Sequence, residues 1–266
     1  MKIFEIKDNK KKYGFLYYFP HFKSFYIELM NNLDFWDVPI SFDSFIKNKK
    51  TTINSFLSLM WVRQRLIPPD RQNISEILKE LNLESYDEYS FLISSKGRCV
   101  QDNLFIEEIS YDKLPKYIKQ RDKNKISNVV PISNNSILLF LNNKTIKKIN
   151  MKKIINNNVK YSILLDDKEF FSEVDIAPGG FGIKWGNHIE FLYTDFLNIG
   201  DIIPLCEDDF LSYTVSNIVS TKDACRVLNC SRQNINDLLK RRMIRSIKKD
   251  EKTTILLKSE LIKRNW

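Results

Sequence analysis

Residues 220–242 read Ser-Thr-Lys-Asp-Ala-Cys-Arg-Val-Leu-Asn-Cys-Ser-Arg-Gln-Asn-Ile-Asn-Asp-Leu-Leu-Lys-Arg-Arg, and their punctuation decides how the last fifth of the chain is read. Ser220 or Thr221 can cap a helix by offering a hydroxyl oxygen to an orphan backbone N–H, and Asp223 falls in the first turn, where a negative charge meets the positive end of the helix dipole. Ala224, Val227 and Leu228 give that helix one apolar face. Asn229 then stands where the chain reverses, and Asn is the best substitute for Gly in left-handed geometry. Cys230 is expected to be buried. Ser231 caps a second helix through Arg241, with Ile235, Leu238 and Leu239 facing inward and Arg232, Gln233, Asn236 and Lys240 left outward.

Two short helices, a three-residue turn and a polar start to the second helix make a helix–turn–helix. The outward residue types suit a major groove: Arg bonds guanine O6 and N7 in bidentate fashion, and Gln and Asn do the same for adenine N6 and N7. Lys240, Arg241, Arg242 and Arg245 then fall near phosphates, where positive charge releases counterions whatever the base sequence. Farther on, residues 245–249 and 253–257 alternate well enough to form a two-stranded wing around Asp250-Glu251-Lys252, and Ser259 can cap a final helix into Trp266. The partner expected from this reading is double-stranded DNA. One such module makes a small interface, so a homodimer on paired half-sites is expected as well.

Charge points to the same segment. The chain of 266 residues carries a formal net charge of +9. Residues 217–266 hold 13 basic and 5 acidic side chains, a balance of +8, against 29 and 28 over residues 1–216, a balance of +1. That is the distribution of a compact polyanion-binding module attached to a nearly neutral body.

The order of elements, with Ser231-Arg-Gln-Asn-Ile-Asn-Asp-Leu-Leu-Lys-Arg-Arg242, resembles the excisionase and MerR-type winged helix–turn–helix superfamily over about 45 residues. The resemblance implies that Ser231, Arg232, Gln233 and Asn236 approach bases, and that Lys248, Lys249 and Lys252 on the wing approach the backbone or minor groove. The sequence departs from the family where Gly usually follows the second helix and Pro comes soon after, since Arg242 and Arg245 stand there. The long effector-binding coiled coil of MerR proteins is missing, and with it the case for a metal or drug sensor.

Upstream, Ser136–Leu141, Asn142-Asn143 and Thr145–Ile149 read as a β-hairpin, because Asn tolerates the positive φ of tight turns. A short helix or turn is expected over Met151–Asn156, and strands over Phe171–Ala177 and Gly182–Trp185 around Pro178-Gly179-Gly180. Phe140-Leu141 with Asn143, then Phe171, Val174, Ile183-Lys184-Trp185 and Gly186 resemble the bacterial domain-of-unknown-function family 2442 over 65 to 70 residues. That resemblance implies an interaction or regulatory role beside toxin-like or mobile-element genes, and no catalytic residues. The glycines do not make a phosphate loop, since no Lys-Ser/Thr follows and the run joins strands rather than opening a helix. Trp185 is expected in the core.

The first 110 residues open on two aromatic strands, Tyr13–Phe19 and Ser24–Leu29, around Pro20–Lys23. A helix is expected from Thr52 to about Leu66, with Ile53, Phe56, Leu57, Met60 and Trp61 as its apolar face, stopped by Pro68-Pro69. Another helix carries Ile74, Ile77, Leu78 and Leu81 after Asp70. Arg63, Arg65 and Arg71 read as a solvated face paired with Asp70, Glu76 and Glu80. Arg98, Cys99 and Asp102 lie close together but lack a base to activate the thiol, so a Gly97 turn and a buried Cys99 account for them. The stretch around them resembles the N-terminal lobe of HipA-type toxin kinases. With no Gly-rich loop and no His-Arg-Asp motif, no kinase activity follows.

These readings give a multidomain α+β chain: a small α/β domain over 1–110, a polar linker over 111–133, a small β-rich α+β domain over 134–205 and a winged helix–turn–helix over 217–266. The Cys225–Cys230 spacing has no second pair or nearby His, so no metal is expected, and no cofactor either. His21 and His188 are read as structural. Asp166-Asp167 with Glu169, and Glu207-Asp208-Asp209, are the local acidic groups a metal-dependent nuclease would need, and they read as solvated turns. The longest apolar runs fall short of a membrane span and no signal peptide opens the chain, which predicts a cytoplasmic protein with four reduced thiols and no membrane partner. The expected function is a non-enzymatic bacterial DNA-binding transcriptional regulator, in its more specific form an antitoxin-type autorepressor of a toxin–antitoxin or mobile-element locus with a toxin-like protein as partner. The alternative is an adaptor or antitoxin whose helix–turn–helix contacts protein.

Overall fold

The computed structural model describes residues 1–132, 135–155, 161–186, 188–250 and 253–262. The chain divides into two compact units, Met1–Ile202 and Ile203–Trp266. Both combine helices with sheets, so the fold class is α+β. No described helix is long and apolar enough to cross a membrane.

The larger unit begins with strands β1 (Lys2–Lys7), β2 (Lys12–Phe19) and β3 (Ser24–Leu29). Helix α1 (Ile40–Lys47), strand β4 (Thr52–Ile53), helices α2 (Ser55–Arg63), α3 (Ile74–Glu80) and α4 (Glu88–Ser94), and strand β5 (Phe105–Ile109) follow. The strands form one sheet in the order β4-β3-β2-β1-β5. Its aromatic runs are nearly continuous because both faces are covered. Phe4, Leu16, Tyr18, Phe25 and Ile27 pack on one side with Phe42, Trp61 and Leu92 from the helices. Ile3, Phe15, Tyr17 and Tyr26 pack on the other, against residues that come after position 110.

Those later residues lie on helix α5 (Lys116–Asp122) and strands β6 (Ile126–Ile132), β7 (Ser136–Leu141) and β8 (Ile146–Asn150). Helices α6 (Lys152–Ile155), α7 (Ile163–Asp166) and α8 (Lys168–Ser172) lead to strands β9 (Asp175–Ile176), β10 (Gly182–Trp185), β11 (Ile189–Leu192) and β12 (Asp201–Ile203). They make two sheets, β12-β8-β7-β6 and β11-β10-β9.

The expected domain scheme is corrected here. Residues 111–133 are not a linker: Leu114, Ile118 and Ile126 are buried in the same core as Tyr17, Trp185 and Phe191. The sheet of 1–110 has its second face filled from 114–196, so 1–110 and most of the expected 134–205 domain share one core, and the larger unit ends at Ile202. Gly180, with φ +71°, sits where a Cβ would meet the Ile126 carbonyl oxygen at 2.4 Å, so only glycine lets this turn close against β6.

Local expectations differ in five places. The helix expected from Thr52 starts at Ser55, because Thr52 and Ile53 pair with β3; Asn54 caps it, its side chain accepting from the Leu57 N–H. Its buried face is Ser58, Trp61 and Val62, which leaves Phe56, Leu57 and Met60 exposed. The left-handed residue of the β7–β8 turn is Lys144, with φ 67°, rather than an Asn. Phe171 ends up in α8 instead of a strand. Arginine partners also differ: Arg63 pairs with Glu88, and Arg65 is buried against Asp102 with its guanidinium 3.8 Å from the Trp61 ring centre. Cys99 is half-buried and its thiol donates to Asp102 at 3.6 Å.

The smaller unit carries helix α9 (Glu207–Asn217), strand β13 (Ile218–Ser220), helices α10 (Thr221–Leu228) and α11 (Arg232–Lys240), strands β14 (Ser246–Lys249) and β15 (Thr254–Leu257), and helix α12 (Lys258–Ile262). The strands form an antiparallel sheet in the order β13-β15-β14. Ala224, Ile235, Ile244, Leu256 and Leu261 are its buried centre, one or more from α10, α11, the sheet and α12.

Candidate nucleic-acid interface

Local chemistry fixes the two helices. Ser220 caps α10: its Oγ accepts from the Asp223 N–H at 3.3 Å, while the Asp223 carboxylate accepts from the Ser220 N–H at 3.3 Å and its hydroxyl at 2.6 Å. These donors hold the Asp223 carboxyl below the usual carboxylate range. Asn229 takes the left-handed conformation, φ 47° and ψ 51°. The Cys230 N–H donates to the Cys225 carbonyl at 3.0 Å, which closes a Schellman turn. Burial, with Cys225 nearby, pushes the Cys230 thiol up. Ser231 caps α11 by accepting from the Asn234 N–H at 3.2 Å.

A second Schellman turn ends α11. The Met243 N–H donates to the Leu238 carbonyl at 2.9 Å and the Arg242 N–H to the Leu239 carbonyl at 3.0 Å. Arg242 occupies the left-handed position with φ 55°, where glycine carries no Cβ penalty.

The residues singled out from the sequence fall in three groups. Ser231, Arg232, Gln233 and Asn236 are exposed on the first turns of α11, and Ser231 spends its hydroxyl on the cap. Asn236, Lys240, Arg242, Arg245 and Lys249 line one open groove of about 640 Å³ between α11 and β14, with Leu239 and Ile244 as its floor. Arg241 and Lys248 are exposed outside that lining, and Lys252 lies outside the described residues. Arg232, Lys240, Arg241, Arg242, Lys248 and Lys249 make no ion pair with any described residue. Comparison with protein-family models, with curated proteins and with solved structures finds no match.

Two features of this surface escape a reading of the sequence. Arg245 is tied to Glu260: its N–H donates to Glu260 at 3.1 Å and its Nε lies 3.7 Å from the carboxylate. The β14–β15 register skips between Ser246 and Lys248, and this bulge leaves Ile247 55% exposed, close in sequence to Met243 at 53%. An acidic residue fifteen positions away and a one-residue bulge leave no periodic signal.

Of the acidic residues weighed for a nuclease, Asp167 and Asp209 serve in helix caps. Asp167 accepts from the Phe170 N–H at 2.9 Å, and Asp209 accepts from the Cys206 N–H at 2.8 Å, which holds its carboxyl low. Among the described residues no group of His, Cys, Asp and Glu is placed to hold a metal.

Proposed function

We propose that the smaller unit is a winged helix–turn–helix that binds double-stranded DNA, and that the chain is a non-enzymatic transcriptional regulator, in its specific form an antitoxin-type autorepressor acting as a homodimer. In this reading α11 enters the major groove with Arg232, Gln233 and Asn236 toward base edges, and the β14–β15 hairpin follows the backbone. What carries it is the convergence of Lys240, Arg242, Arg245 and Lys249 on one groove beside Asn236, with three of the four cations left without a carboxylate among the described residues. Cations without carboxylate partners are the ones free to meet phosphates.

The test is selection of a binding site from random duplexes with the full chain, followed by fluorescence anisotropy across a salt series. Affinity for the selected duplex should fall steeply with salt; Arg232→Ala should lose discrimination between selected and scrambled duplexes, and Lys249→Ala should weaken both equally. Indifference to both substitutions would sink the assignment.

A second reading is favoured by the exposed Met243 and Ile247 set among the cations. Under it the same surface docks a partner protein, such as an acidic toxin-like chain, through an apolar centre with a charged rim. Absence of any duplex shift at moderate salt, with a neighbouring gene product retained on co-purification, would favour it.

A further inference from the structure

Across the central strand β10 and the edge strand β11, Lys184 and Glu190 stand directly opposite each other, yet they make no ion pair. Glu190 is occupied elsewhere. One oxygen accepts from the Tyr26 hydroxyl at 2.6 Å; the other accepts from the Ser55 hydroxyl at 2.7 Å and the Ser55 N–H at 3.1 Å. The carboxylate is turned to the opening turn of α2 and holds it to β11. Lys184, half-buried, is left without an anionic partner among the described residues, its ammonium 6.0 Å from the Phe22 ring centre.

Lys184, Glu190 and Tyr26 line a cavity of about 400 Å³ whose wall also includes Phe22, Phe56 and His188. Phe22 is 56% and Phe56 65% exposed. Tyr26, by contrast, is buried and stacked on Phe181 with ring centres 4.4 Å apart, which makes a rigid floor. His188, exposed on the turn before β11, makes no hydrogen bond to a described residue. The volume falls within the range of small-molecule sites. Its carboxylate already has three donors, the Lys184 ammonium and the His188 imidazole have no acceptor among the described residues, and its rim is aromatic.

We propose that this cavity binds a small aromatic anion, with the ring against Phe22 and Phe56 and the carboxylate or phosphate on Lys184 and His188. A nucleoside monophosphate and an aromatic carboxylate share that chemistry. A cationic ligand is disfavoured because Glu190 is held by its own donors and Lys184 repels it. The site lies wholly within Met1–Ile202, and the proposal does not rest on DNA binding by the smaller unit.

Isothermal calorimetry on the full chain, without DNA, tests it with two anionic probes, adenosine 5′-monophosphate and indole-3-acetate, and their uncharged or cationic counterparts, adenosine and tryptamine. At least one anion should bind with a Kd of about 1 mM or tighter, and its counterpart about tenfold more weakly. Lys184→Met should weaken the anion about tenfold. Phe56→Ala, at an exposed position, should weaken it while leaving the thermal unfolding temperature unchanged. Binding of neither anion at millimolar concentration, equal binding of a counterpart, or an affinity unmoved by both substitutions in folded protein would each overturn the proposal. Which anion binds distinguishes the nucleotide from the carboxylate.

Discussion

The Lys125 ammonium lies 3.6 Å from the carboxylate of Glu28, a residue with no exposed surface, and 2.7 Å from Asp122. Tyr193 completes the cluster by donating to Glu28 at 3.0 Å. Three distant parts of the chain, β3, the α5–β6 corner and the end of β11, therefore meet around one buried negative charge. Lys125→Met should cost about 3–5 kcal/mol, because Glu28 would be left buried without its counter-charge. The double variant with Glu28→Gln should recover much of that loss. Urea unfolding monitored by circular dichroism measures both, and equal destabilisation of single and double variants would contradict the account.

Alkaline pH should unfold the larger unit. Burial, reinforced by the Glu28 charge at Tyr17 and Tyr193 and by Glu190 at Tyr26, raises all three hydroxyls above their ordinary value of 10.0. In the unfolded chain they lose protons near that value, while in the folded chain they stay neutral. Their contribution is therefore complete below about pH 10 and is lost as pH rises beyond it, by up to about 1.4 kcal/mol per pH unit for each hydroxyl. Urea midpoints between pH 8 and 11 should be level at first and then drop.

Arg242→Gly should stabilise the smaller unit by about 1 kcal/mol, since glycine carries no Cβ penalty at φ 55°. Under the proposed DNA-binding function it should also weaken duplex binding by removing one groove cation. Thermal unfolding and anisotropy on the same variant should move in opposite directions; a loss of stability would refute the cap argument.

Arg65→Lys should cost about 1.5–3 kcal/mol despite keeping the charge. A lysine cannot reproduce the flat stacking on Trp61 while it also bonds Asp102. Denaturant unfolding should show the loss, and Arg63→Lys, at an exposed pair, should change little.

What the sequence made legible was local. Ser220, Asn229 and Ser231 signal their own roles, because caps and left-handed turns act within three or four residues. The α5–β6 stretch looked like a linker because Lys116, Lys119, Lys123 and Lys125 surround its few apolar positions. Only the fold shows that Lys125 is buried, because its partner Glu28 is 97 positions away. Phe56 and Met60 misled the helix reading for a related reason: their periodicity is that of a packed face, but that side of α2 faces outward beside the Lys184 cavity. Arg242 was readable as a departure from a glycine position, and the structure supplies the left-handed φ that gives the departure its meaning.

Ser220 is both the last residue of β13 and the cap of α10, so strand passes into helix with no intervening loop. Adding one residue there would either slide β13 along β15 or rotate α10 by about 100° and carry Ala224 out of the core. The junction can change by substitution but has no slack for a change in length.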